Sequence, residues 1–132
     1  MEKTKEYAFS TVLNTSYEEA VSKVTEALKE EGFGVLTEID VKATLKKKLN
    51  VDFRNYRILG ACNPQYAYQA ILKEDKVGTM LPCNVIVQEH AQGKVEVAAI
   101  NPIASMLAIN NPELRGVAEQ IQDKLKKVID TL

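Results

Sequence analysis

The chain has 132 residues, 45% of them apolar and 27% charged, the composition of one globular domain and too short for a two-domain enzyme. Seventeen Lys and Arg against eighteen Asp and Glu leave a formal charge of -1, so no global excess draws the chain to nucleic acid or anionic lipid. One His and two Cys are too few for a His- and Cys-rich zinc site within one chain, which takes about three or four ligands.

The start, Met1 to Glu6, mixes charges and precedes only a short apolar alternation, so no signal peptide is expected. No apolar run approaches the roughly 20 residues of a membrane span. A cytoplasmic location follows as the expectation, with Cys62 and Cys83 held reduced there unless they do redox work. Tyr7, Phe9, Thr11 and Leu13 alternate with mostly polar neighbours, the period of a half-buried strand. Thr15 and Ser16 followed by Glu18 and Glu19 then read as a capping box. Tyr17, Ala20, Val21, Val24, Ala27 and Leu28 recur at helical spacing, and Gly32 closes that helix. Phe33, Val35, Thr37 and Ile39 predict a second strand, and Asp40 caps a short Lys-rich helix with Val41, Leu45 and Leu49 on one stripe.

Tyr56 to Ala61 reads as a third strand running into Cys62-Asn63-Pro64. Asn63 is a favoured N-cap and Pro64 suits the first helical position, which predicts a helix to about Lys73. Val77-Gly78 marks a break, and from Met80 the chain should be extended through Cys83. Asn84 to Glu89 reads as strand, Gln92-Gly93 as a hairpin turn, and Val95, Val97 and Ala99 as the returning strand. Asn101-Pro102 opens the apolar stretch Ile103 to Ile109. Asn111-Pro112 opens a last helix with Leu114, Val117, Ala118, Ile121, Leu125, Val128, Ile129 and Leu132 on one face.

The order β-α-β-(short α)-β-α-β-β-α predicts a single α+β domain over residues 1–132, mainly an antiparallel sheet with helices on one face. The chain carries no G-x-G-x-x-G, no Walker-type phosphate loop and no G-x-S-x-G elbow. Nucleotide cradles and a hydrolase triad are therefore not expected.

Cys62 is the best candidate for chemistry, because the amides and dipole of a helix beginning just after it would stabilise a thiolate. The alternative is a small thiol packed at a strand end. For Cys83, Pro82 implies an edge, bulge or kink. If the strands carrying the two cysteines are parallel neighbours, the thiols lie at opposite sheet edges and no bond can form. Otherwise they can act as attacking and resolving thiols. Lys42 to Arg57 holds six cations against Asp52 alone. That stretch is either a solvated face or, at Lys46 to Lys48 and Arg54, a seat for an anionic partner with the rings of Tyr66 and Tyr68 nearby, and Arg57 and Tyr66 are candidate ligand contacts. His90, beside a turn, is assigned no role. Ile103 to Ile109 is either a core-capping helix or a self-association surface.

Taken together, Leu36-Thr37-Glu38-Ile39-Asp40-Val41 with Ala43-Thr44-Leu45, then Ile58-Leu59-Gly60-Ala61-Cys62-Asn63-Pro64, then Met80-Leu81-Pro82-Cys83-Asn84-Val85, resembles the bacterial and archaeal family called domain of unknown function 302. The resemblance spans nearly the whole chain. It implies a compact α+β fold similar to TATA-binding-protein-like or ferredoxin-like arrangements and a homodimer, and it brings no established reaction. Its blocks fall on Cys62, Asn63, Pro64, Pro82, Cys83 and Asn84. The expectation is a small-ligand or sulfur-handling domain in which Cys62 and Cys83 carry any chemistry, with Asn63 capping the helix beside one thiol and Asn84 presenting an amide beside the other. The competing expectation is a non-catalytic homodimeric assembly module with structural Cys-Asn blocks. No metal, cofactor, nucleic-acid partner or membrane partner is expected.

Overall fold

The computed structural model describes residues 4–132, so the Met1 to Lys3 part of the mixed-charge start lies outside the described residues. The strands are β1 (Thr4–Lys5), β2 (Ala8–Leu13), β3 (Gly34–Asp40), β4 (Tyr56–Cys62), β5 (Cys83–Ala91) and β6 (Lys94–Ile100). The helices are α1 (Tyr17–Glu30), α2 (Val41–Leu49), α3 (Pro64–Lys73), α4 (Pro102–Met106) and α5 (Arg115–Thr131). The six strands form one antiparallel sheet in the order β1-β2-β6-β5-β4-β3. This is the α+β class read from the sequence.

Strand period explains the core. Phe9, Leu59, Ala61, Val85, Val87, Val95, Val97 and Ala99 are all buried. They meet in register as Phe9 opposite Ala99, Val85 opposite Ala99 and Leu59, and Val87 opposite Val97, so one face of the sheet is continuously apolar. Onto that face α1 brings Ala20, Val24 and Leu28, and α5 brings Ile121, Leu125 and Val128. Truncating a fully buried member such as Leu125 to Ala should cost about 2–5 kcal/mol.

Local signals set the ends of these elements. Ser16 Oγ accepts from the Glu19 amide at 3.2 Å while Thr15 hydrogen-bonds the Glu19 carboxylate. Asp40 Oδ1 accepts from the Ala43 amide at 3.0 Å. Gly32, at φ 87°, makes the left-handed step after α1. Gly93, at φ 78°, turns the β5–β6 hairpin.

Several expectations need correction. The break at Val77-Gly78 is a 3-10 turn over Asp75–Met80 with Val77 buried, and the extended chain begins at Leu81, one residue later than expected. A 3-10 turn at Pro112–Leu114 precedes α5, which begins at Arg115. The strand β3 is mostly exposed and carries a bulge between Val35 and Thr37. Only Phe33 and Val35 of its expected apolar set pack on the core. Of the two readings of Ile103 to Ile109, core capping describes the contacts. Pro102 and Met106 are buried and Ile103 and Ile109 pack on the core, leaving Leu107 exposed. Among the described residues no helix is long and apolar enough to cross a membrane.

Candidate functional site

Antiparallel pairing of β4 with β5 places Ala61 opposite Cys83. Cys62, the last residue of β4, therefore lies at the same end of the sheet as Cys83, the first of β5. The arrangement with the thiols at opposite edges is ruled out. Both thiols are free, and both line one cleft of about 300 Å³.

The bulge in β3 shapes this cleft. In register Val35 faces Ala61 and Thr37 faces Gly60, so Leu36 is the residue in excess. It stands 68% exposed at the mouth, facing the cleft together with Ile71 of α3. The inner walls are the buried Phe33, Ala70 and Ile121, and Leu81-Pro82 closes the side nearest β5. Thr37 and Asn63 supply polar side chains. Among the described residues no Asp, Glu, His, Lys or Arg lines the cleft. Such a surface suits an uncharged, largely apolar molecule.

Burial, with a smaller contribution from neighbouring Cys62, pushes the Cys83 thiol up to about 11. At neutral pH Cys83 is thus a neutral, weakly polar wall residue and not a nucleophile. Cys62 is only half-buried.

The other sequence candidates separate. Asn63 occupies the N-cap position of α3 but makes no side-chain cap. Its Nδ2 donates instead to the Glu31 carbonyl at 3.3 Å, tying α3 to the turn after α1. The expected cap is thus absent, and the side chain serves a tertiary contact. The other Asn-Pro starts do cap, with Asn101 Oδ1 accepting from the Ile103 amide and Asn111 Oδ1 from the Glu113 amide. Asn84 is exposed and lines a second hollow, not the one holding Cys62. Tyr66 packs against the core beneath Lys124, and the ring lines neither hollow.

Arg57 stands at the far end of β4, opposite Asp40, whereas Cys62 stands opposite Gly34. Five strand residues put it roughly 17 Å from Cys62. Its guanidinium pairs with Glu18 at 3.2 Å and Glu38 at 3.0 Å and lies over the Tyr17 ring. Arg57 is therefore held in ion pairs at the end of β4 away from the cleft, so Arg57 and Cys62 are not brought together. Within the same basic stretch Lys46 pairs with Asp52 at 3.1 Å, and Arg54 stacks on Phe53 while donating to Gln88.

Sequence reasoning missed Phe33, Leu36, Thr37, Ile71 and Ile121 as cleft residues. One signal pointed that way. Gly60 interrupts an apolar strand, and glycine there marks close approach of another group, in this case Thr37 and Pro82.

Comparisons with known proteins agree on kinship. Among curated proteins none matches the chain. A crystal structure described as an uncharacterized conserved protein DUF302 from Bacillus stearothermophilus is similar, at 30% identity and a TM-score of 0.87. The match covers 96% of this chain and 98% of that one. The family model for the domain of unknown function DUF302 matches residues 9–132, and the chain belongs to that family.

Proposed function

We propose that this domain binds a small, largely apolar molecule in the cleft between β3, α3 and the ends of β4 and β5, with Cys62 as the reactive thiol in its wall. The observation that carries this reading is the cleft itself. It has a volume of about 300 Å³, at the lower end for ligand pockets, with apolar walls converging on two thiols. Exposed Leu36 and Ile71 at its mouth are apolar surface that a bound ligand would remove from water. Cys83 supports the site as a packing residue, since its thiol stays protonated at neutral pH.

The test uses the uncharged fluorophore N-phenylnaphthylamine with the native chain. Saturable fluorescence enhancement that Ile71→Glu abolishes, and that iodoacetamide alkylation of Cys62 blocks, supports the reading. Absence of enhancement, or enhancement indifferent to both changes, overturns it.

A second reading, homodimeric assembly, draws on a different face. Ile58, Ile86 and Ala98 lie in register across β4, β5 and β6 on the side away from the core, and they are only half-buried. An exposed antiparallel face is ordinarily polar. Sedimentation of the native chain beside Ile86→Lys tests this reading, which requires a dimer in the first and a monomer in the second.

A further inference from the structure

The three residues Leu81, Pro82 and Cys83 form a wall shared by two hollows. On one side is the apolar cleft. On the other is a hollow of about 360 Å³ bordered by Thr79, Asn84, Ser105 and Met106. The two differ in chemistry, because the second places three polar side chains around an apolar floor. Neither presents an Asp, Glu, His, Lys or Arg among the described residues.

Hydrogen-bond accounting narrows what the second hollow accepts. The Thr79 hydroxyl donates to the Lys76 carbonyl at 2.8 Å, and the Ser105 hydroxyl donates to the Pro102 carbonyl at 3.1 Å. Their protons are committed, and each oxygen retains only acceptor capacity. The Asn84 side-chain amide has no protein partner among the described residues and offers both donor and acceptor. A group that both donates and accepts, and carries no charge, answers this set. A hydroxyl does so. A carboxylate cannot donate, and no cation is there to offset its desolvation.

We propose that the ligand is an uncharged amphiphile bearing a hydroxyl, lying across Leu81–Cys83 with its apolar part in the cleft and its hydroxyl between Asn84, Thr79 and Ser105. This rests on the cleft being a ligand site and names the chemical class of that ligand.

The experiment is displacement of N-phenylnaphthylamine from the native chain by n-octanol and by octanoate, two probes of equal chain length. The alcohol should displace the fluorophore at a concentration about tenfold lower than octanoate. Asn84→Ala, at an exposed position, should weaken n-octanol about fivefold. Ser105→Ala should act in the same direction. Octanoate equal to or better than the alcohol overturns the inference, as does n-octanol affinity indifferent to both variants. Failure of the fluorophore to bind the native chain removes the ligand site altogether, a separate outcome that also overturns this inference.

Discussion

Thr37 lies so close over Gly60 that a Cβ built on the glycine would collide with its hydroxyl, and Pro82 Cγ would stand 2.9 Å from the same atom. Two neighbours of the cleft thus close over one backbone position, and both β3 and the approach to β5 depend on it. Gly60→Ala should destabilise the chain by about 1–3 kcal/mol through overpacking and weaken fluorophore binding. Adding Thr37→Ala should recover part of the loss, because Pro82 still crowds the site. Gly34→Ala is the control, since nothing lies within 4 Å of its built Cβ, and it should stay within about 0.5 kcal/mol of the parent. Urea denaturation of the four chains checks the stabilities, and fluorophore titration of the parent and Gly60→Ala checks the binding.

The buried Cys83 thiol makes stability depend on pH. Its folded value of about 11 stands above the ordinary 9.0. The unfolded chain therefore loses this proton first as pH rises. Stability from this group is complete below about pH 9 and falls as pH climbs toward 11, by roughly 2–3 kcal/mol across that window. Denaturation at pH 7, 9 and 10.5 in the parent and in Cys83→Ala should show the extra alkaline loss in the parent alone. Equal slopes would show that Cys83 is ionised freely in the folded chain.

Arg57 gives a prediction of the opposite kind, a change in stability without a change in binding. Its partners Glu18 and Glu38 are 75% and 49% exposed in their side chains, so each pair contributes at most about 1 kcal/mol. The guanidinium over Tyr17 adds an amount of similar order. Arg57→Ala should cost about 1–2 kcal/mol, less at high salt, and leave fluorophore affinity unchanged. A loss of affinity would place Arg57 in the ligand site after all.

These three positions show what local pattern does and does not encode. The buried stripes of α1 and α5, the caps at Ser16 and Asp40, and the alternation that buries Val85, Val87, Val95 and Val97 are all short-range signals, and they read directly. The relation of Cys62 to Cys83 is not short-range. A helical connection of this length can return a strand parallel or antiparallel, and nothing local in it states at which end of the sheet the chain re-enters. The bulge at Leu36 is likewise invisible in the alternation of Val35, Thr37 and Ile39, because it shows only in their pairing with Ala61 and Gly60 of β4. Asn63 has the propensity of a cap, yet a carbonyl from a turn 32 residues earlier takes its amide.

That contact between Asn63 and the α1 turn yields a coupling prediction. Gly32 sits at φ 87°, and a Cβ there would lie 3.1 Å from Asn63 Nδ2. Gly32→Ala therefore combines a strained backbone with crowding of the amide, and should cost about 1–3 kcal/mol. Asn63→Ala removes one hydrogen bond and leaves the Glu31 carbonyl without it, at a cost of about 1–2 kcal/mol. In the double variant the crowding is gone, so only the backbone strain and the missing hydrogen bond remain. The double variant should then lose less than the sum of the two single losses, by about 0.5–1 kcal/mol. A double-mutant cycle by urea denaturation measures the difference. Strict additivity would mean that a Cβ at position 32 does not crowd the Asn63 amide.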